Sequence, residues 1–211
     1  MVFKEMLRME KPVDVSLSFL KEMLGPIKAL IDPRKYYEQL SKILDKYGVY
    51  GAAITYFAGW IGASFIVFFI ILFVEITREI VSLDLAGFVT APLRAVIYSF
   101  GFPAVAALVD SIVITLLLLP FPRKRPIYDV FPIRASSLLT YGFRVVYLEI
   151  IGKLSLKGLL AATGSPLGFL FLLLGASLTM YGIRKTIGAP LLGAIVGGLG
   201  PLTYKLLLIY I

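Results

Sequence analysis

The chain contains no cysteine and no histidine. Disulfides, iron–sulfur clusters and thiol chemistry are thereby excluded, as are imidazole ligation of haem and histidine-based acid–base catalysis. Asparagine is also missing, and Gln39 is the sole glutamine. Depletion of thermolabile and oxidisable side chains points to a protein of a hot environment. Charge is scarce too, at 16% of residues against 59% hydrophobic ones. A mean hydropathy of +0.90 excludes an ordinary soluble domain of this size. Catalytic patterns are lacking: no phosphate loop ending in Gly-Lys-Ser/Thr, no Gly-x-Ser-x-Gly elbow, no zinc pair and no carboxylate cluster suited to magnesium. Residues 1–47 hold sixteen charged side chains and no apolar core of a cleaved signal, so the first apolar stretch is expected to stay in the protein. The expectation is a non-enzymatic protein without cofactor or metal.

What the chain has instead is long runs without charge. Between Lys46 and Glu75 lie 28 such residues, between Lys157 and Arg184 26, and between Lys185 and Lys205 19. About 20 apolar residues cross a hydrocarbon core of roughly 30 Å as a helix. Two further stretches are interrupted, Ala95–Pro122 by Asp110 and Ala135–Gly152 by Arg144 and Glu149. The fold class expected is all-α: a polytopic membrane bundle of five transmembrane helices, near residues 51–74, 95–119, 135–152, 158–183 and 186–204, behind a cytoplasmic amphipathic leader over 1–48.

The net charge of +8 reports orientation rather than nucleic-acid binding. Nine Lys and Arg in the leader, four over Arg123–Arg134, and Arg184 with Lys185 share one face, against five at Arg78, Arg94, Lys153, Lys157 and Lys205. This places the amino end in the cytoplasm and the carboxyl end outside.

The leader is periodic, with Phe19, Leu20, Met23, Leu24, Ile27, Leu30 and Ile31 opposite Lys21, Glu22 and Lys28. Gly25-Pro26 should kink it, and Asp32-Pro33 should start a second helix whose stripe is Tyr36, Leu40, Ile43, Leu44 and Tyr47, ending at Gly48. Lys21, Lys28, Arg34 and Lys35, with Arg123, Lys124 and Arg125 of the proline-rich loop Pro120–Arg134, are candidates for lipid-headgroup contact. Packing of the leader against its own bundle is the equal alternative, and a protein groove a third. The loop itself should be extended and stiff.

Three ionisable groups fall inside apolar stretches: Asp110, Arg144 and Glu149. Their depths favour an Asp110–Arg144 ion pair between neighbouring helices, with Tyr141 and Tyr147 at hand; a proton or ion relay through Asp110 and Glu149 is the functional alternative. Glu75, Glu79 and Asp84 read as a solvated outer loop. Small residues at Ala189, Gly193 and Gly197, and more weakly Gly59 with Ala63, suit close helix packing within the chain or across a homo-oligomer.

Several words of sequence resemble the Ypt-interacting protein (Yip) domain family of five-span membrane proteins: LIDPRKYYEQL at Leu30–Leu40, SSLLTYGFRVVYLEIIG at Ser136–Gly152, and LGASLTMYGIRKTIGAPLLGAIVG from Leu174. The resemblance implies a cytoplasmic amino end, five helices, an outside carboxyl end and no enzyme activity. It implies a scaffold or adaptor for lipid or protein partners; a small channel or carrier, or an accessory subunit of a membrane complex, are the rivals. The family's usual proline after the Tyr-Gly pair is replaced here by Arg144.

Overall fold

The computed structural model describes residues 19–151 and 165–210. All regular structure among them is helical. After a helical stretch over 19–23, α1 spans Gly25–Ile31 with Pro26 in its first turn, where the missing amide hydrogen is harmless. Asp32 then accepts from the Lys35 amide at 3.0 Å and Pro33 opens α2, Pro33–Ser82. The start expected at Asp32-Pro33 is thus present, whereas the stop expected at Gly48 is a reversal. Gly48 has φ 55° and ψ −128°, a conformation side chains avoid, and the helix resumes at once on a new axis. As a result the leader folds back beside the apolar part of α2. Tyr37, on one arm, reaches Ser136, while Gly59, on the other, touches Ala135.

The second arm turns at Leu83 into α3, Leu85–Val96, and the chain continues through a wide π-turn, Ile97–Gly101, into α4, Phe102–Leu118. Pro103 explains the wide turn, since it cannot donate to the carbonyl of Ser99 and its ring would strike it. A single 3-10 turn at Ile127–Asp129 leads into α5, Val130–Ser136, and α6, Leu138–Ile150. Helix therefore begins well inside the Pro120–Arg134 stretch expected to be extended, because Pro132 sits in the first turn of α5, where it is tolerated. The break between α5 and α6 has a local cause as well. Ser136 and Ser137 donate back to the carbonyls of Ile133 (2.7 Å) and Arg134 (2.9 Å), competing with the helical ladder.

The last helices are α7, Pro166–Gly182, extended by a π-turn at Ile183–Ile187, and α8, Leu191–Tyr210. Helices of this chain long and apolar enough to cross a membrane number three among the described residues: Pro33–Ser82, Leu85–Leu118 and Pro166–Ile187, with a shorter apolar helix at Leu191–Thr203. Five uninterrupted spans are not shown: the serines split 135–152, and within 186–204 the three residues 188–190 form a turn before Leu191. Residues 158–164 of the expected fourth span lie outside the described residues.

Two ends of the bundle can be told apart. At the basic end Arg125 meets Asp45, and the Lys124 amide donates to the Ile187 carbonyl at 3.0 Å. At the distal end Arg78 meets Glu149 and Arg94 meets Glu75. The leader closes the basic end: Tyr36, Tyr37, Leu40 and Leu44 are buried with Ile114, Leu118, Ile133, Ile183 and Ile187. Its upstream part lies higher, where a side chain at Gly62 would overlap the Met23 carbonyl. The second arm of α2 packs with its small residues inward, among them Ala52, Ala58, Gly59, Gly62 and Ala63, and with Phe57, Phe65, Phe69 and Phe73 outward.

Replacing Gly48 by Ala is expected to destabilise the protein by about 1–3 kcal/mol, the range for a side chain forced into a glycine-only conformation. Thermal unfolding in detergent would measure it, and an unshifted transition would show that the reversal is not required.

Candidate functional site

Two clusters of buried ionic side chains stand out among the described residues. The first lies where α4 meets α5. Asp110 is completely buried and Arg134 is 5% exposed. Arg134 Nε donates to Asp110 Oδ2 at 2.7 Å, Nη2 meets the same oxygen, and Nη1 donates to Ser137 Oγ at 2.5 Å. Two guanidinium nitrogens on one carboxylate make a strong, directional pair. Ser137 Oγ stands 3.3 Å from Thr179 Oγ1, so the pair is linked through α5 to α7. One turn away Tyr37 and Ser136 share a 2.9 Å hydrogen bond, and burial raises the Tyr37 phenol pKa well above its ordinary value.

Arg134 is a cation hydrogen-bonded to Asp110, one that the depth argument did not select. The reason is the earlier start of the helix. With α5 beginning at Val130, Arg134 is drawn inside the bundle instead of serving the loop. Arg144 is itself buried, as is Tyr141. A cavity of about 20 Å³ adjoins Arg134, Thr140, Tyr141, Gly175 and Thr179. Such a space holds about one water molecule, which these polar groups could bind.

The second cluster gathers five side chains at the distal end. Arg94 bridges Glu75 (Nε–Oε2 2.8 Å) and Glu79 (Nη2–Oε1 2.6 Å), and Arg78 Nη1 lies 2.5 Å from Glu149 Oε1 while Nη2 donates to the Glu149 carbonyl. Glu75 and Glu79 are buried, which corrects the expectation of a solvated loop. The two arms of the α2–α3 hairpin bring Arg94 over both glutamates, and charges enclosed this way need such partners. Glu149, expected as part of a relay with Asp110, is held at this end, and Asp110 belongs to the other cluster.

No family model, curated protein or solved structure matches the chain. The arrangement of its own side chains is therefore what bears on function. Of the cations expected at lipid headgroups, Arg125 is engaged within the protein: its guanidinium donates to Ser41 Oγ at 3.0 Å, meets Asp45 and lies 3.7 Å from Asp129. Burial pushes the Asp129 carboxyl above the usual carboxylate range, against the opposing pull of Arg125. Arg34 pairs on the surface with Glu38 at 3.4 Å, Lys28 Nζ donates to the Lys21 carbonyl at 2.9 Å, and Lys21, Lys35, Arg123 and Lys124 are exposed. The small residues meet partners in the same chain: Gly193 packs on Phe121, Gly197 on Ile183 and Leu118, and Ala189 is buried in the basic-end core.

Sequence reasoning passed over Arg134, Ser137 and Thr179, and over Arg78 and Arg94 as partners. A signal for Arg134 was present: Pro132 three residues after Asp129 marks a helix start and puts Arg134 in its second turn.

The pair predicts a rescue pattern. Asp110→Leu alone should cost about 3–5 kcal/mol by stranding Arg134, and adding Arg134→Leu should recover most of it. Unfolding of the single and double variants in detergent checks this; equal losses in both would show that the pair is not coupled.

Proposed function

We propose that this is a multi-pass integral membrane protein, with the basic end in the cytoplasm and five helical crossings, that acts as a non-enzymatic scaffold or adaptor. The observation carrying the membrane assignment is the inverted packing of α2. Small residues face the interior, and Phe69 and Phe73 are 61% and 72% exposed. In water such a face would be buried, whereas in lipid close approach of small residues drives helix association and large apolar side chains belong outside.

The scaffold reading draws on the state of the charges. Asp110 and Glu149, the groups a relay would need, are each held by an arginine, and they sit in separate clusters. The cavity beside Arg134 is the size of one water. The closed basic end favours a role in which the leader is part of the bundle, leaving Lys35, Lys42, Arg123, Lys124, Arg184 and Lys185 exposed for anionic headgroups or an acidic partner. The Yip-like words at Leu30–Leu40 and Ser136–Gly152 meet where Tyr37 of the leader bonds to Ser136.

Two measurements test it. The protein should stay with membranes through an alkaline wash, and release into the supernatant would end the membrane assignment. In liposomes holding a pH-sensitive dye it should leave proton leak at the level of empty vesicles; a leak removed by Asp110→Asn would replace the scaffold with a transporter.

A further inference from the structure

The turn joining α2 to α3 exposes far more apolar surface than a connection requires. Val81, Leu83, Leu85 and Val89 are 79, 87, 83 and 77% exposed. The polar groups of the same turn are turned back on the protein. The Asp84 amide donates to the Glu79 carbonyl at 3.1 Å, Asp84 Oδ1 accepts from the Gly87 amide at 3.0 Å, Ser82 Oγ donates to the Glu79 carbonyl at 3.2 Å, and Thr90 Oγ1 to that of Gly87 at 3.1 Å. Asp84 is the one charged residue between Glu79 and Arg94, and its carboxylate caps the amino end of α3, where a negative charge is favoured.

Leu83 adds a second, independent observation. It has φ 57° and ψ 28°, the left-handed conformation that closes α2, and among the described residues it is the one non-glycine with positive φ. Glycine is the usual occupant of such a cap, and a bulky side chain there is disfavoured. The leucine recovers little of that cost inside the fold, because its side chain is almost wholly exposed. The cap itself is held by backbone hydrogen bonds from Leu83 and Asp84 to Ile80 and Glu79, which leaves the leucine side chain for contact outside the fold.

We infer that this turn is a leaflet anchor, an apolar tip that inserts among the acyl chains at the distal face of the bilayer. Lipid is the occupant the observations favour over a protein. The tip continues the outward stripe of Phe65, Phe69, Phe73 and Ile80, and its one charged side chain, Asp84, is exposed where it caps α3. Internal hydrogen bonding of its polar atoms is what a hydrocarbon environment demands. The neighbouring cations Arg78 and Arg94 are neutralised by Glu149, Glu75 and Glu79, so the tip carries no free positive charge beside it. The inference rests on the membrane reading above.

The absence of native cysteine makes the test direct. Single variants Leu83→Cys, Leu85→Cys, Phe69→Cys and Lys185→Cys of the full chain are spin-labelled and reconstituted in vesicles of phosphatidylcholine and phosphatidylglycerol, and relaxation by oxygen is compared with that by a water-soluble nickel chelate. The ratio of oxygen to nickel accessibility at 83 and 85 is expected to match that at 69 and to exceed that at 185 by about an order of magnitude. The label at 85 reports on the tip without disturbing the left-handed cap. Nickel access at both 83 and 85 with lipid access at 69 would overturn the anchor and leave the membrane assignment standing. Nickel access at 69 as well would overturn both, and shielding of 83 and 85 from both reagents would replace lipid with a protein occupant.

Discussion

A charge buried among apolar side chains must be matched on the spot, and this constraint organises the whole molecule. Asp110 is fully buried, where a lone charge is costly, and Arg134 reaches it from another helix. Apolar surfaces slide past one another with little change in energy, and a one-turn slip of about 5.4 Å would leave leucines against leucines. The same slip would separate Arg134 from Asp110. The pair therefore specifies the register of α4 on α5, and the distal cluster does likewise for α2, α3 and α6.

Between these two fixed points the packing is carried by small side chains. Gly59 on Ala135 and Gly197 on Ile183 bring backbones close, so dispersion contacts accumulate where the hydrophobic effect has little to act on. The basic end is different in kind. There Tyr37, Leu40 and Leu44 of the leader join isoleucines from α5 and the π-turn after α7 in a core like that of a water-soluble domain. Of the leader's apolar stripes, Tyr36, Leu40 and Leu44 are consumed by this core, whereas Leu20, Leu24 and Ile31 stay exposed.

Much of the architecture was legible in the residues. The charge-free run after Lys46 announces a long apolar helix, and Asp32-Pro33 announces its start, because both signals are local. The errors fall where a local rule meets a distant partner. Arg134 reads as a loop cation until Pro132 is recognised as a first-turn proline and Asp110 is brought alongside. Glu75 and Glu79 read as solvated because Arg94, which encloses them, lies on the other arm of the hairpin. Gly48 reads as a stop, since nothing in the neighbouring residues tells a terminating glycine from a reversing one; that difference is decided by the docking of Tyr37 on Ser136 and Tyr181.

That docking has a consequence for how the protein is made. Tyr37 leaves the ribosome early, yet the residues that enclose it, Ser136, Tyr181 and Gly182, emerge roughly 100 to 140 residues later, some 5–30 s at ordinary rates of synthesis. Throughout that interval the leader has no place in the fold to occupy, although its hinge at Gly48 is already built. Its final docking waits on the arrival of α7, so a segment made early is among the last to settle in the structure.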